Sequence, residues 1–195
     1  MFGDDVLSYF YRAIFYDNLV LSFGVGALSL QVISRKMTDA VFFFAFILLS
    51  SFLSLSLQNL LLFLLSKLWI YSYQFKIYIF IASIFFSLKL ILFFFNMTRF
   101  QGFSLLYEKN RLSFYLILLA ISIFSVPDQS SLHLSERVFV GVGYALGYGI
   151  VAILLAGLHE KLKVSEIPLG LRGTGVFLMA LIFIHIGFMG LWGLF

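Results

Sequence analysis

Long apolar runs separated by short polar segments dominate the sequence. A helix needs about 20 apolar residues to cross the hydrocarbon core of a bilayer. Six segments approach or exceed this length: residues 6–33, 40–65, 77–95, 112–126, 138–158 and 173–195. These runs are continuous rather than alternating, and they are longer than the strands of a membrane barrel. The pattern therefore predicts an all-α integral membrane protein with six transmembrane helices.

Two of the six spans differ from a simple membrane helix. Span 4 is short and stops before Pro127. Span 1 is too long for one straight helix, and its middle carries four residues that interrupt an apolar pattern: Asp17, Asn18, Gly24 and Gly26. In lipid, irregular backbone survives only inside protein or beside a cavity. We therefore expect helices 1 and 4 to be interrupted or short, with a site where helix 1 is broken.

Spans 1 and 4 hold corresponding positions if the six spans are divided into two halves of three. An odd number of spans in each half gives the halves opposite orientations, as in the inverted repeats of many transporters. The pattern thus predicts one membrane domain over residues 1–195, with repeat 1 at about 1–100 and repeat 2 at about 101–195. A midplane site is expected where the repeats meet.

The composition fits this class, because only 11% of the residues are charged, against roughly 25% in soluble domains. The net charge of +4 comes from a few cations between apolar runs, so it does not indicate nucleic-acid binding. Eight cations follow spans 1, 3 and 5: Arg35, Lys36, Arg99, Lys109, Arg111, Lys161, Lys163 and Arg172. Four lie on the other side: Arg12, Lys67, Lys76 and Arg137. The positive-inside rule then places the connections after spans 1, 3 and 5 in the cytoplasm and both termini on the outer side of the membrane.

Two charged residues fall within the apolar spans. Asp17 either binds an ion or relays a proton, or it lies near the outer interface at the start of a broken span. Lys89 either pairs with Asp17 or holds an anion, or its ammonium group reaches the interface beyond Phe95. An unpaired charge at the bilayer centre costs roughly 2.5–3.5 kcal/mol. Asp17 and Lys89, with Asn18, Gly24 and Gly26, form the predicted ion-path or midplane site.

Other polar and small residues in the spans have simpler interpretations. Gly143 and Gly147 in span 5, and Gly187 and Gly190 in span 6, indicate close helix packing. His185 is expected to form a hydrogen bond across the bundle rather than to bind haem. The sequence shows no serine–histidine–acid set, nucleotide loop or metal-ligand spacing. We therefore predict no catalytic residue, no metal site and no self-sufficient enzyme.

Several short motifs at both ends of the chain are shared with a known family. They are Asn18-Leu-Val-Leu, Gly26 and Ser34-Arg-Lys in span 1, then residues 141–147 (GVGYALG), 156–162 (AGLHEKL), 166–168 (EIP), 171–173 (LRG) and 187–195 (GFMGLWGLF). On these residues the chain resembles the membrane subunits of the Rnf/Nqr family, paired six-span proteins of ion-translocating oxidoreductases. The outward termini are similar to those of the A subunit of Rnf or the E subunit of Nqr.

The resemblance implies two inverted three-helix halves, and it implies partners: an oppositely inserted paralogous subunit, other subunits of the complex and membrane lipids. In the family, each of the paired subunits supplies one cysteine from helix 1 and one from helix 4, and together they hold a [2Fe–2S] cluster. The corresponding positions here are Leu28 and Ile117, and the chain contains no cysteine. Because leucine and isoleucine offer no ligand to iron, we expect no cofactor to be bound by this chain alone.

Two functions remain open from the sequence. The first is a membrane subunit of an Rnf/Nqr-type electron transport complex, without its own cluster, that acts as a scaffold or part of an ion path. The second is a small six-helix transporter or ion-conducting protein that shares the fold, with Asp17 as a ligand, since a fold does not fix a function.

Overall fold

The computed structural model describes residues 4–33, 36–67, 76–97, 101–125, 134–162 and 173–192. These residues form seven helical segments and no strand: α1 (Asp4–Phe15), α2 (Ala27–Ile33), α3 (Met37–Lys67), α4 (Lys76–Met97), α5 (Gln101–Phe124), α6 (Leu134–Leu162) and α7 (Thr174–Trp192). The pieces α1 and α2 share predicted span 1, and α3 to α7 correspond to spans 2 to 6. Residue 126 of span 4 and residues 193–195 of span 6 lie outside the described residues.

The apolar character of these helices supports a multi-pass, membrane-embedded protein. Three described stretches are long and apolar enough to cross a membrane: Met37–Leu65, Glu136–Leu162 and Thr174–Leu191. Three shorter apolar stretches complete the set: Val6–Phe15, Ile77–Phe93 and Asn110–Phe124. The predicted six-helix, all-α membrane fold is confirmed.

The interruptions predicted for helices 1 and 4 are both present. The first helix stops at Phe15 and resumes at Ala27, and the glycines at 24 and 26 have φ angles of 67° and 72°. Such angles are strongly unfavourable for other residues. In α5, Asn110 leaves helical geometry at φ −119° and ψ 20°, so the apolar part of that helix begins only after a kink.

Helix α6 lies at the centre of the described bundle, where it packs against α3, α1, α5 and α7. Helix α4 covers α3 and α5 on the far side. Glycines on α6 let large side chains of α3 approach closely: a Cβ built on Gly141 would overlap Leu55, and one on Gly149 would overlap Phe44. The core is therefore densest along α6. The division into two inverted repeats within one domain stays a prediction.

Candidate functional site at the broken first helix

Asn18 forms the joint at which the first helix breaks. Its side chain is fully buried, with 0% of its surface exposed. The amide Nδ2 donates a hydrogen bond to the Ile14 carbonyl at 2.9 Å. Its Oδ1 accepts hydrogen bonds from the backbone N–H groups of Val20 at 3.0 Å and Leu21 at 3.4 Å. One side chain therefore satisfies backbone groups at the end of α1 and in the segment that follows it, which lipid would leave unpaired.

Asp17, two residues after the end of α1, faces a cation of that helix. Its Oδ2 accepts a hydrogen bond from Arg12 Nε at 2.6 Å, and its backbone N–H bonds to the Arg12 carbonyl at 2.8 Å. The side chains are 49% exposed for Arg12 and 22% exposed for Asp17, and the guanidinium also lies over the Tyr16 ring. Asp17 thus occupies a partly exposed ion pair at the end of α1.

Lys89 does not lie near this pair. It is exposed on α4, and its Nζ lies 5.4 Å from the centroid of the Phe85 ring. The structure therefore brings Asp17, Asn18, Gly24 and Gly26 together but leaves Lys89 on the outside of the bundle. The pairing between Asp17 and Lys89 is not formed, because Arg12 takes that place.

The two glycines of the break differ in their surroundings. A Cβ on Gly24 would meet no atom within 4 Å. A Cβ on Gly26 would lie 2.6 Å from Tyr148 Oη and 3.0 Å from Ile117 Cγ1. Tyr148 Oη also donates a hydrogen bond to the Gly26 carbonyl at 3.3 Å. The broken helix 1 therefore meets α5 and α6 at Gly26.

The residues at this meeting point are apolar or aromatic. Ile117 and Tyr148 are fully buried, and the rings of Phe43 and Phe114 pack beside them, with centroids 4.6 Å apart. Leu28 lies in α2, two residues after Gly26. A [2Fe–2S] cluster needs thiolate or, in some proteins, imidazole ligands. With no cysteine in the chain and isoleucine and tyrosine at the contact, these residues do not fit the cluster.

The predicted packing glycines fall into two groups. Gly143 and Gly147 on α6 lie against the backbone of α1: built Cβ atoms would be 3.1 Å from the Phe10 carbonyl oxygen and 2.8 Å from that of Ile14. Gly187 and Gly190 on α7 have nothing within 4 Å of a built Cβ. Among the described residues, only the α6 pair therefore forms a close contact with another helix.

Two features of the described helices were not expected from the sequence. Tyr148 closes the break from α6, and the only sequence signal for it is a large aromatic side chain between Gly147 and Gly149. His185 on α7 has a buried Nδ1 without a hydrogen-bond partner among the described residues. The hydrogen bond of this histidine across the bundle stays a prediction.

Comparison with known proteins finds relatives that are similar over nearly the whole length of the chain. No model of a known protein family matches the chain. The chain is 27% identical over 199 residues to the E subunit of the Na⁺-translocating NADH-quinone reductase of Pseudoalteromonas translucida, covering 96% of this chain and 97% of the relative. It is 29% identical over 202 residues to the E subunit of the same reductase in Alcanivorax borkumensis, covering 96% of each chain.

A shorter stretch is more similar. Over 62 residues, 32% of this chain, it is 42% identical to the corresponding reductase subunit of Cellvibrio japonicus, of which the match covers 31%. The full-length matches show that the similarity is not confined to one motif. The resemblance of this chain to the Rnf/Nqr membrane subunits is therefore confirmed over nearly its whole length.

Proposed function

We propose that this chain is a membrane subunit of an ion-translocating NADH-quinone reductase complex of the Rnf/Nqr type, and that it holds no [2Fe–2S] cluster of its own. The observation that carries the proposal is its similarity, over 96% of its length, to proteins named as the E subunit of a Na⁺-translocating NADH-quinone reductase. Its role in the complex is that of a scaffold or a component of the ion path.

The contact around Gly26 supports the cluster-free part of the proposal. Ile117 and Tyr148 fill the space against the broken helix with side chains that offer neither the thiolate nor the imidazole ligands of a [2Fe–2S] cluster. Any electron that crosses the membrane in the complex therefore has to pass through cofactors held by partner subunits. The partners implied are an oppositely inserted paralogous subunit, further subunits of the complex and the surrounding lipid.

The direct test is affinity purification of the tagged chain in a mild detergent, with mass spectrometry of partners and iron analysis on the same sample. We expect the oppositely inserted subunit and a flavoprotein of the complex to copurify. The isolated chain is expected to contain no iron above an untagged control. A chain that purifies alone would contradict the assembly, and iron bound to the isolated chain would contradict the cluster-free role.

The orientation, with both termini on the outer side of a bacterial inner membrane, has a separate test. Because the natural chain has no cysteine, one introduced cysteine is a unique label. Asp5 on α1 precedes span 1, and Thr38 on α3 is exposed in the connection between spans 1 and 2, so the two positions lie on opposite sides of the predicted topology. An impermeant maleimide added outside intact cells should label an Asp5→Cys chain and not a Thr38→Cys chain. The reverse pattern would invert the proposed topology.

The transporter alternative depends on Asp17 as an ion ligand. In the structure this carboxylate already has a cation partner, Arg12, at 2.6 Å. An Asp17→Asn chain in proteoliposomes distinguishes the two functions: a subunit without autonomous transport shows the same ion flux with and without the substitution. Loss of a measurable flux in the variant would favour the transporter.

A further inference from the structure

Helix α4 turns an apolar face to the outside of the described bundle, and this face carries one cation. The other side of the helix packs against α3 and α5, with Ile84, Leu88 and Ile91 buried. The outward residues, here called the α4 face, are all exposed: Ile81, Phe85, Phe86, Lys89 and Phe93. From Ile77 to Met97 the helix contains no other charged residue. The α4 face is therefore apolar apart from the ammonium group of Lys89.

Lys89 lies well inside the helix rather than at its end. It comes 13 residues after Lys76 and eight before Met97, which corresponds to about 20 Å and about 12 Å along an α-helix. Its Nζ lies 5.4 Å from the centroid of the Phe85 ring, which is one turn towards the Lys76 end. The side chain thus points away from the nearer end of α4 and away from the headgroups that a lysine near a helix end reaches.

The ammonium group of Lys89 has no charged partner in the part of the chain that the structure describes. The carboxylate of Asp17 is paired with Arg12 instead. The Phe85 ring gives a cation–π contact, which offsets only part of the cost of a charge in hydrocarbon. Ionisable residues within membrane spans typically pair with one another. The α4 face therefore fits an anion that reaches the depth of Lys89.

A carboxylate on a neighbouring transmembrane helix meets this requirement. Lipid phosphates lie at the membrane surface, and the ammonium group is directed away from the nearer surface. A second copy of this chain does not meet it, because the α4 face contains no acidic residue and a symmetric contact would bring two Lys89 side chains together. The charge on the α4 face thus selects a helix of a different chain that carries Asp or Glu.

We propose that the α4 face is the docking surface for a transmembrane helix of a partner subunit, and that an Asp or Glu of this helix forms an ion pair with Lys89. Between two helices in lipid the dielectric constant is low, so a charge-assisted hydrogen bond is stronger than on a wet surface. The apolar residues beside Lys89 pack against the same helix. The inference rests on the proposed function, since it needs a complex, and it adds the surface and the charge by which one subunit is recognised.

Photo-cross-linking in the assembled complex tests the docking surface. The photoreactive residue p-benzoylphenylalanine replaces Phe86, which is 56% exposed near Lys89. In a control chain it replaces Phe183, which is 69% exposed on α7, a helix without Lys, Arg, Asp or Glu. Membranes are irradiated, and mass spectrometry identifies the cross-linked peptides. We expect position 86 to cross-link to a membrane segment of a reductase subunit that contains Asp or Glu. Cross-links to lipid alone at this position would overturn the docking surface.

Substitutions of Lys89 test the ion pair. Lys89→Arg keeps the charge, so the cross-link from position 86 should stay within about twofold, whereas Lys89→Glu should lower it at least about fivefold, because like charges across an interface repel. The labelling from position 183 should be the same in both. Changing the cross-linked acidic residue of the partner to Lys should restore the yield with Lys89→Glu. An undiminished yield with Lys89→Glu, or a reversed pair that fails to restore it, would overturn the ion pair.

The same samples separate this inference from the proposed function. Copurification of reductase subunits with the natural chain reports whether the complex forms. If these subunits copurify but position 86 reaches only lipid, the α4 face is not the docking surface and the proposed function stands. A natural chain without any partner would contradict the proposed function, and this inference with it.

Discussion

The two glycine pairs of the molecule look alike in sequence and behave differently in structure. Gly143 and Gly147 on α6 hold the backbone of α1 so closely that a methyl group on either would press on a carbonyl oxygen. A methyl group on Gly187 or Gly190 of α7 would meet nothing within 4 Å. Two glycines four residues apart on α6 thus form a filled contact, and two glycines three residues apart on α7 lie on an open face.

The contrast extends to the surroundings of each pair. Beside the α6 pair lie the joint at Asn18 and a stacked pair of rings, Phe10 and Phe139, with centroids 4.3 Å apart. Beside the α7 pair lie exposed apolar side chains, among them Ile186 and Met189. Glycine is favourable in a membrane helix where backbones approach each other. On α6 the glycines allow such an approach between two helices of this chain, whereas on α7 they allow none among the described residues.

The largest expected effect is at Gly147. A Gly147→Leu chain forces a side chain into the Asn18 amide and the Ile14 carbonyl, and we expect a loss of about 3 kcal/mol, in the upper range for overpacking. The matched Gly187→Leu chain adds the same side chain to an open face and should change stability by about 0.5 kcal/mol or less. Thermal unfolding of the purified chains in detergent measures both. Equal destabilisation would erase the distinction between the two pairs.

The glycines of the break give the next largest effect. Alanine at either Gly24 or Gly26 has to adopt a positive φ angle, which costs about 1–2 kcal/mol. Only Gly26→Ala also meets Tyr148 Oη, so we expect it to lose about 1 kcal/mol more than Gly24→Ala. Adding Tyr148→Phe to Gly26→Ala should recover part of that difference, because it removes the nearest atom. A double-mutant cycle by denaturant titration tests this, and purely additive effects would contradict the contact.

Removing the Asn18 side chain should destabilise the protein less than the substitution of Gly26. Asn18→Ala removes the partners of the Ile14 carbonyl and of two N–H groups, and unpaired buried groups cost about 1–3 kcal/mol. Other backbone–backbone hydrogen bonds also hold the break. We therefore expect a loss of stability near the lower end of this range, about 1.5 kcal/mol. Hydrogen exchange of residues 19–25 should rise in this variant, whereas exchange in α4 should not. Unchanged exchange at the break would show that Asn18 does not hold it.

The smallest effect is expected at the ion pair. Arg12 is about half exposed, so Arg12→Gln should lower stability by about 0.5 kcal/mol or less. The difference between this variant and the natural chain should shrink further at high salt, which screens exposed charges. Thermal unfolding at low and high salt is the measurement. A large, salt-independent loss would instead indicate a buried role for Asp17.

The sequence predicted the class and the order of the helices because apolar run length depends on the bilayer, not on neighbours. It also located the break, since two glycines and a polar pair interrupt the apolar run locally. It did not reveal the contacts of Asp17 and Asn18. Arg12 and Ile14 come close to these residues only because α1 is helical and ends just before them. The contact of Tyr148 with the break and the packing of the two glycine pairs depend on which helices lie next to each other. No local sequence pattern encodes that arrangement.

The close fit of α1 on α6 has a mechanical consequence. With carbonyl oxygens of Phe10 and Ile14 seated over the two α6 glycines, α1 cannot rotate about its own axis without driving a side chain into α6. The two helices, α1 and α6, therefore move as one rigid unit. Any displacement between the two pieces of the first span falls on the eleven residues 16–26, which the Asn18 side chain ties at one end and the Tyr148 hydroxyl at the other.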